Sequence, residues 1–183
     1  MKRDVFTKFT SSNDDFQVII EILPFPEPCV NHEPEPKGKG MPHAYIAGPL
    51  FDEGERWFDE QIDQVVREAG FTTFLPHRDG FEAARSDLPG IQERVFREDV
   101  GAIDSCDIIV ANLNGVATDD GTAWELGYGF ARGKHIVGVY TDWRTRMTRF
   151  PDQTLNIMLQ CSLNHLCRSL DDLAAYLRKY AAE

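Results

Sequence analysis

Apolar positions recur along the chain with two different periods, and the alternation between them predicts the fold. "HAYIAG" is a short apolar, β-favouring run ended by Gly48 and Pro49, which reads as a strand followed by a loop. "EGERWFDEQIDQVVREAG" carries Phe58, Ile62, Val65, Val66 and Ala69 at helical spacing and stops at Gly70. "FTTFLPH" is rich in β-branched and aromatic residues and predicts a second strand. "PGIQERVFREDVGAIDSC" puts Ile91, Val95, Phe96, Val100 and Ile103 on one helical face. "DIIVANL" is apolar almost throughout, the pattern of a strand covered on both faces. "GTAWELGYGFARG" predicts a helix stopped by Gly133, and "KHIVGVYT" predicts a strand. "SLDDLAAYLRKYA" predicts a last helix, with Ser169 as N-cap and Asp172 completing a box-like start.

Strands alternating with helices predict an α/β fold. The expected form is a three-layer sandwich around a mostly parallel, flavodoxin/Rossmann-like sheet of about five strands. Such sheets bind ligands at the carboxyl ends of their strands, near a switch in strand order. The loops after Tyr45–Ala47, Phe74–Pro76 and Val110–Leu113 should therefore converge on the site.

Residues 1–40 depart from this rhythm. "QVIIEILPF" reads as a short strand, with Val18 to Leu23 able to pair at a sheet edge. "PFPEPCVNHEPEPKGKG" reads as an extended linker. The expectation is an N-terminal extension over 1–40, partly disordered, and one domain over 41–183.

Composition narrows the function classes. The net charge of −11 argues against a nucleic-acid polymer or an anionic membrane as partner. No apolar run is long enough to cross a bilayer, and the first residues lack the apolar stretch of a secretory signal. Cys29, Cys106, Cys161 and Cys167 form no C-x-x-C pair and read as free thiols, which suits a cytoplasmic location. His32, His43, His77, His135 and His165 are scattered without paired spacing, so no metal is expected. There is neither a G-x-G-x-x-G run nor a P-loop lysine motif, and no cofactor is expected.

The chemistry should then rest on acids near the strand ends. Asp99 precedes "DIIVANL"; Asp119 and Asp120 follow it; Glu125 comes one turn into the next helix. A helix start favours an ionised carboxylate, as a nucleophile or base needs. The plain alternative is that Asp119 or Asp120 caps the helix and Glu125 is a satisfied first-turn acid. Gly127 and Gly129 weigh against that, because each costs about 1 kcal/mol in a helix interior relative to alanine. Such glycines mark a close approach by another element or a ligand.

"YIAGPLF", "FREDVGAIDSCDIIVANLNG", "DDGTAWELGYGFARGKHIVGVYTD" and "TLNIML", in that order, resemble the nucleoside 2-deoxyribosyltransferase family. The resemblance runs from about Tyr45 to Leu159 and is nearest to the protozoan and purine-preferring members with a D-x-G-T-A-x-E-x-G run. It implies a transferase of nucleotide salvage that exchanges bases on 2′-deoxynucleosides by retaining double displacement, through a covalent deoxyribosyl-glutamate. Glu125 matches the nucleophile. Tyr45 matches a tyrosine that positions it, and is equally a strand aromatic. Asp99 matches an aspartate that handles the proton of the base. Asp119 matches an aspartate on the sugar hydroxyls. Asn156, with Met158 beside it, matches an asparagine that reaches the sugar in a neighbouring subunit's site, which implies a homo-oligomer, a dimer or higher. Its alternative is a turn residue before a short strand. The partners implied are nucleosides and free nucleobases. In the front loop, Gly48 and Pro49 could let a base lie on the backbone, with Phe51 or Trp57 stacking on it. His77 in "PHRDG" reads as a polar-loop residue that faces the base.

Two rivals remain open. A nucleotide N-hydrolase would pass the sugar to water and would have to hold a 5′-phosphate. The loop "GPLFDEGER" is acidic and offers only Arg56 nearby, although Arg78, Arg85 or Arg97 could supply a clamp. A non-enzymatic nucleotide-sensing module would leave Asp99, Asp119 and Glu125 without a purpose.

Overall fold

The run around Tyr45 folds as the second strand of a five-stranded sheet, at the point where the strand order reverses. The computed structural model describes residues 40–80, 89–142 and 154–182. In chain order the elements are β1 (His43–Ala47), α1 (Glu53–Glu68), β2 (Thr72–Phe74), α2 (Pro76–Asp79), α3 (Ile91–Ser105) and β3 (Ile108–Asn112). They continue with α4 (Asp120–Ala131), β4 (His135–Val139), α5 (Ile157–Ser162), β5 (His165–Cys167) and α6 (Leu170–Tyr180). The strand order is β2-β1-β3-β4-β5, and every pairing is parallel. The order reverses at β1, between β2 and β3, so the ligand crevice of this topology opens above the ends of β1 and β3.

Alternation along the strands builds the three layers. Ala44, Ile46, Ile108, Val110, Val137 and Val139 face one way and pack with Ile62 and Val66 of α1 and Leu173 and Leu177 of α6. Tyr45, Ala47, Ile109, Ala111 and Ile136 face the other way, onto Ala102 and Ile103 of α3 and Leu126 of α4. Removing each of these isoleucine, leucine and valine side chains from water stabilises the fold by roughly 1.5–3 kcal/mol. The β1–β3 register sets Tyr45 beside Ile109 and Ala47 beside Ala111.

Gly129 explains one of the two helix glycines. A Cβ there would run into the Ile109 side chain, so the glycine lets α4 lie close on β3. Gly127 has open space around it and needs no such account. Trp124 and Phe130, which share its helix, are 48% and 60% exposed, whereas Leu126 is fully buried.

Several segments differ from the pattern reading. The fifth strand is His165–Cys167, three residues, too short for any period to show. The edge strand expected over Val18 to Leu23, and with it most of the 1–40 extension, lies outside the described residues. Asn156 begins a helix, α5, rather than preceding a strand. "PHRD" folds as the single turn α2, with Pro76 at its first position. α6 starts as expected, with Ser169 accepting from the Asp172 N–H; at the start of α1, Asp52 and Glu55 form a capping box. Among the described residues, no helix is long and apolar enough to cross a membrane.

Candidate active site

Tyr45 and Glu125 meet where the topology predicts a ligand. Tyr45 is fully buried on β1, and its ring stacks on Phe74 of β2 with centroids 5.7 Å apart and planes 11° apart. That packing aims the hydroxyl, which donates to Glu125 Oε1 over 2.5 Å. Glu125 lies in the second turn of α4, and it shares a pocket of about 610 Å3 with Asp99 of α3. Ile91, Val95, Phe96 and Trp124 make most of the remaining wall apolar. Trp124 is held by a face-to-face stack on Tyr128 at 5.3 Å and a tilted contact with Phe96 at 5.3 Å.

Burial governs the charge on Glu125. Desolvation pushes its carboxyl up to about 8; the Tyr45 hydroxyl pulls it down, and Asp99, Asp119 and Asp59 push it up again. The helix start, expected to keep this acid ionised, does not reach it. Asp119 is the N-cap, and its Oδ2 accepts the Thr122 N–H at 2.8 Å and the Thr122 hydroxyl at 3.0 Å. Asp120 Oδ1 accepts the Gly121 N–H. The Gly121 and Thr122 N–H groups are thus used inside the first turn, and the dipole effect fades within that turn. Burial, Glu125 and Asp99 raise Tyr45 as well, which keeps it a protonated donor.

Asp59 is the site acid that the pattern reading passed over. It is 2% exposed on α1 at the end of β3, and Asn112 Nδ2 donates to its Oδ1 at 2.8 Å. Asn112 is itself oriented, because its Oδ1 accepts the Asn114 N–H. Desolvation pushes Asp59 up to about 8; the Asn112 bond opposes this, and Glu55, Asp119 and Glu60 add to it. The signal was present: an acid three residues before Ile62 and seven before Val66 falls on the apolar stripe of its helix.

The other candidates divide. Gly48 makes room for Asp59, since a Cβ there would stand 2.5 Å from Asp59 Oδ1. Pro49 lines a smaller pocket of about 280 Å3 with Asp52, Glu55, Asn112 and Asn114. Phe51 and Trp57 are 75% and 57% exposed. His77 lies on α2 and turns Nε2 toward Glu60 of α1, at 3.4 Å. Asn156 caps α5, its Oδ1 accepting the Met158 N–H at 2.9 Å. Asn156 and Met158 line a separate pocket of about 590 Å3, with Asp120, Ala123 and Tyr140. Within one chain, then, Tyr45, Asp99 and Glu125 come together with Asp119 close by, while Asn156 and Met158 open onto different space.

The comparisons with known proteins point the same way. A family model described as nucleoside 2-deoxyribosyltransferase matches residues 44–158, more than half of the chain. No curated protein matches it. A solved 2-deoxyribosyltransferase from Bacillus psychrosaccharolyticus is 26% identical with a TM-score of 0.62; the match covers 74% of this chain and 95% of that one. A conserved protein from Enterococcus faecalis is 21% identical with a TM-score of 0.66, covering 77% of this chain and 99% of that one. A 2-deoxyribosyltransferase from Leishmania mexicana is 20% identical with a TM-score of 0.56, covering 76% and 98%. The last two likenesses are of fold.

Proposed function

The chain belongs to the nucleoside 2-deoxyribosyltransferase family, and from that premise we propose that it moves a 2-deoxyribosyl group between nucleobases with Glu125 as nucleophile. The observation that carries this reading is the Tyr45–Glu125 hydrogen bond at a pocket shared with Asp99. Tyr45 holds Oε1 and so presents Oε2 to the substrate. Oε2 attacks C1′ as the C1′–N bond breaks, and the base leaves with the bonding pair and takes a proton from Asp99. A second base then attacks C1′, the Glu125–C1′ bond breaks, and Asp99 takes back the proton. Two inversions at C1′ retain configuration. A carboxylate with little water around it has less solvation to lose at attack, so the burial that raises its pKa also makes the ionised form reactive.

The front loop supports a neutral substrate. The N–H groups of Phe51 and Asp52 donate to Glu55 Oε2, and the Glu55 N–H donates to Asp52 Oδ1. A phosphate dianion would have to displace two carboxylates to use those amides. Arg56 donates to Leu50 O, Arg78 pairs with Asp63 and Asp79, and Arg97 pairs with Glu93. Arg85 lies outside the described residues. Asn156, opening onto its own pocket, suits a role in a second subunit's site.

The test is base exchange. Incubation with deoxyinosine and free adenine should yield deoxyadenosine. Hypoxanthine without new nucleoside would instead mean hydrolysis. Turnover of deoxynucleotides with none of deoxynucleosides would overturn the nucleoside assignment.

A further inference from the structure

At the corner between β5 and α6 three side chains of different chemistry bring potential ligand atoms close together. His165, Cys167 and Asp172 offer a ring nitrogen, a thiol and a carboxylate oxygen that all lie within 4.8 Å of each other. Three local features bring them there. His165 and Cys167 are two residues apart on a strand, so they share a face. Asp172 stands in the first turn of α6, held by the Ser169 cap and by the Arg168 N–H, which donates to Asp172 Oδ2 at 2.9 Å. Its other oxygen remains for a ligand. The His165 ring plane is locked by a parallel stack on Tyr176, with centroids 4.1 Å and planes 5° apart.

His165 differs from the other described histidines. His43 bonds the Thr72 hydroxyl, His77 faces Glu60, and His135 bonds the Tyr176 hydroxyl. The His165 ring makes no hydrogen bond among the described residues, and neither does the Cys167 thiol. Groups of this kind left unpartnered beside each other are what a metal site offers before it is filled.

We propose that His165, Cys167 and Asp172 bind one borderline-soft divalent cation, with zinc as the best fit. Imidazole and thiolate favour such an ion over magnesium or calcium. A neutral imidazole, a thiolate and a carboxylate together balance a divalent charge. Binding replaces the S–H bond of Cys167 with an S–metal bond and releases that proton to solvent. Three protein ligands leave a fourth position to water. The ion would tie the edge strand β5 to the start of α6. It would also steady Arg168, which lies between two ligands and donates to the Thr154 hydroxyl at 2.6 Å.

The test uses the full chain, stripped with a chelator and dialysed against zinc. The expected result is about one zinc per chain, release of one proton on binding, and a raised Tm. Cobalt should give a thiolate-to-metal charge-transfer band that Cys167→Ala lacks. Asp172→Asn and His165→Gln should each weaken affinity tenfold or more. Absence of stoichiometric zinc, or affinity unchanged in all three variants, overturns the site. Cys167 is in the core, so if its variant fails to fold, Asp172→Asn decides: unchanged affinity there overturns the proposal.

Discussion

The Tyr45 hydroxyl donates to Glu125 Oε1 over 2.5 Å, joining the buried strand β1 to the fourth helix across 80 residues of sequence. The bond counts twice, because it fixes one carboxylate oxygen and is also the main influence that opposes the burial of Glu125.

Tyr45→Phe keeps the ring and its stack on Phe74 and removes only the donor. A hydrogen bond to a charged group is worth about 1.5–3 kcal/mol, so base exchange should fall roughly tenfold to a hundredfold. The Glu125 carboxyl should rise further. The acid limb of kcat/KM, centred near the value of about 8 to which Glu125 is pushed, should move to higher pH. A limb that stays put with full activity would remove Tyr45 from the site.

Glu125→Gln should abolish exchange while stabilising the fold at alkaline pH. The folded carboxyl is raised from 4.5 to about 8, so the folded state binds the proton more tightly than the unfolded chain. The stability from that proton is fully present below about pH 4.5 and is lost as pH rises through about 8. Glutamine has no proton to lose. At pH 8–9 the variant should exceed the parent by roughly 1–3 kcal/mol, with little gain near pH 4. Denaturant melts across that range measure it. Asp59, raised to about 8 in the same way, should leave part of the slope in place.

Gly129→Ala should strain the α4–β3 contact, since the added Cβ meets the Ile109 side chain. Overpacking costs about 1–3 kcal/mol, partly offset by the better helix propensity of alanine. Adding Ile109→Val removes the Cδ1 that it meets and should recover much of the loss. Additive losses in the double-mutant cycle would show that the two positions are independent.

If Asn156 serves a neighbouring subunit's pocket, two dead variants should rescue each other. Glu125→Ala and Asn156→Ala are each expected to lose activity alone. Co-assembled, some sites would hold an intact Glu125 and an intact Asn156 from different chains, and exchange should return. Size-exclusion of the mixture confirms assembly. Assembled but inactive mixtures would place both residues in one chain's site.

Periodicity by itself determined the layers. Ile62 and Val66 at helical spacing, and Ala44, Ile46 and their alternates at strand spacing, leave one way to bury both sets, and the parallel sheet with helices on both faces follows. The acids near strand ends were legible too, because strand ends are where this topology opens. Short elements were not: His165–Cys167 and Pro76–Asp79 are below the length at which a period repeats. Nor could spacing say what an acid experiences. Asp119 reads as a cap and is one, but whether Glu125 feels the helix start or the core depends on which N–H groups Asp119 and Asp120 have already taken. Asp59 sat in plain view on the apolar stripe, yet only Asn112 and Gly48, brought in from two other strand ends, show why a buried acid is tolerated there. Local pattern decides which groups must leave water. Partners distant in sequence decide what charge those groups carry once they have left it, because desolvation and neighbouring charge both act through space.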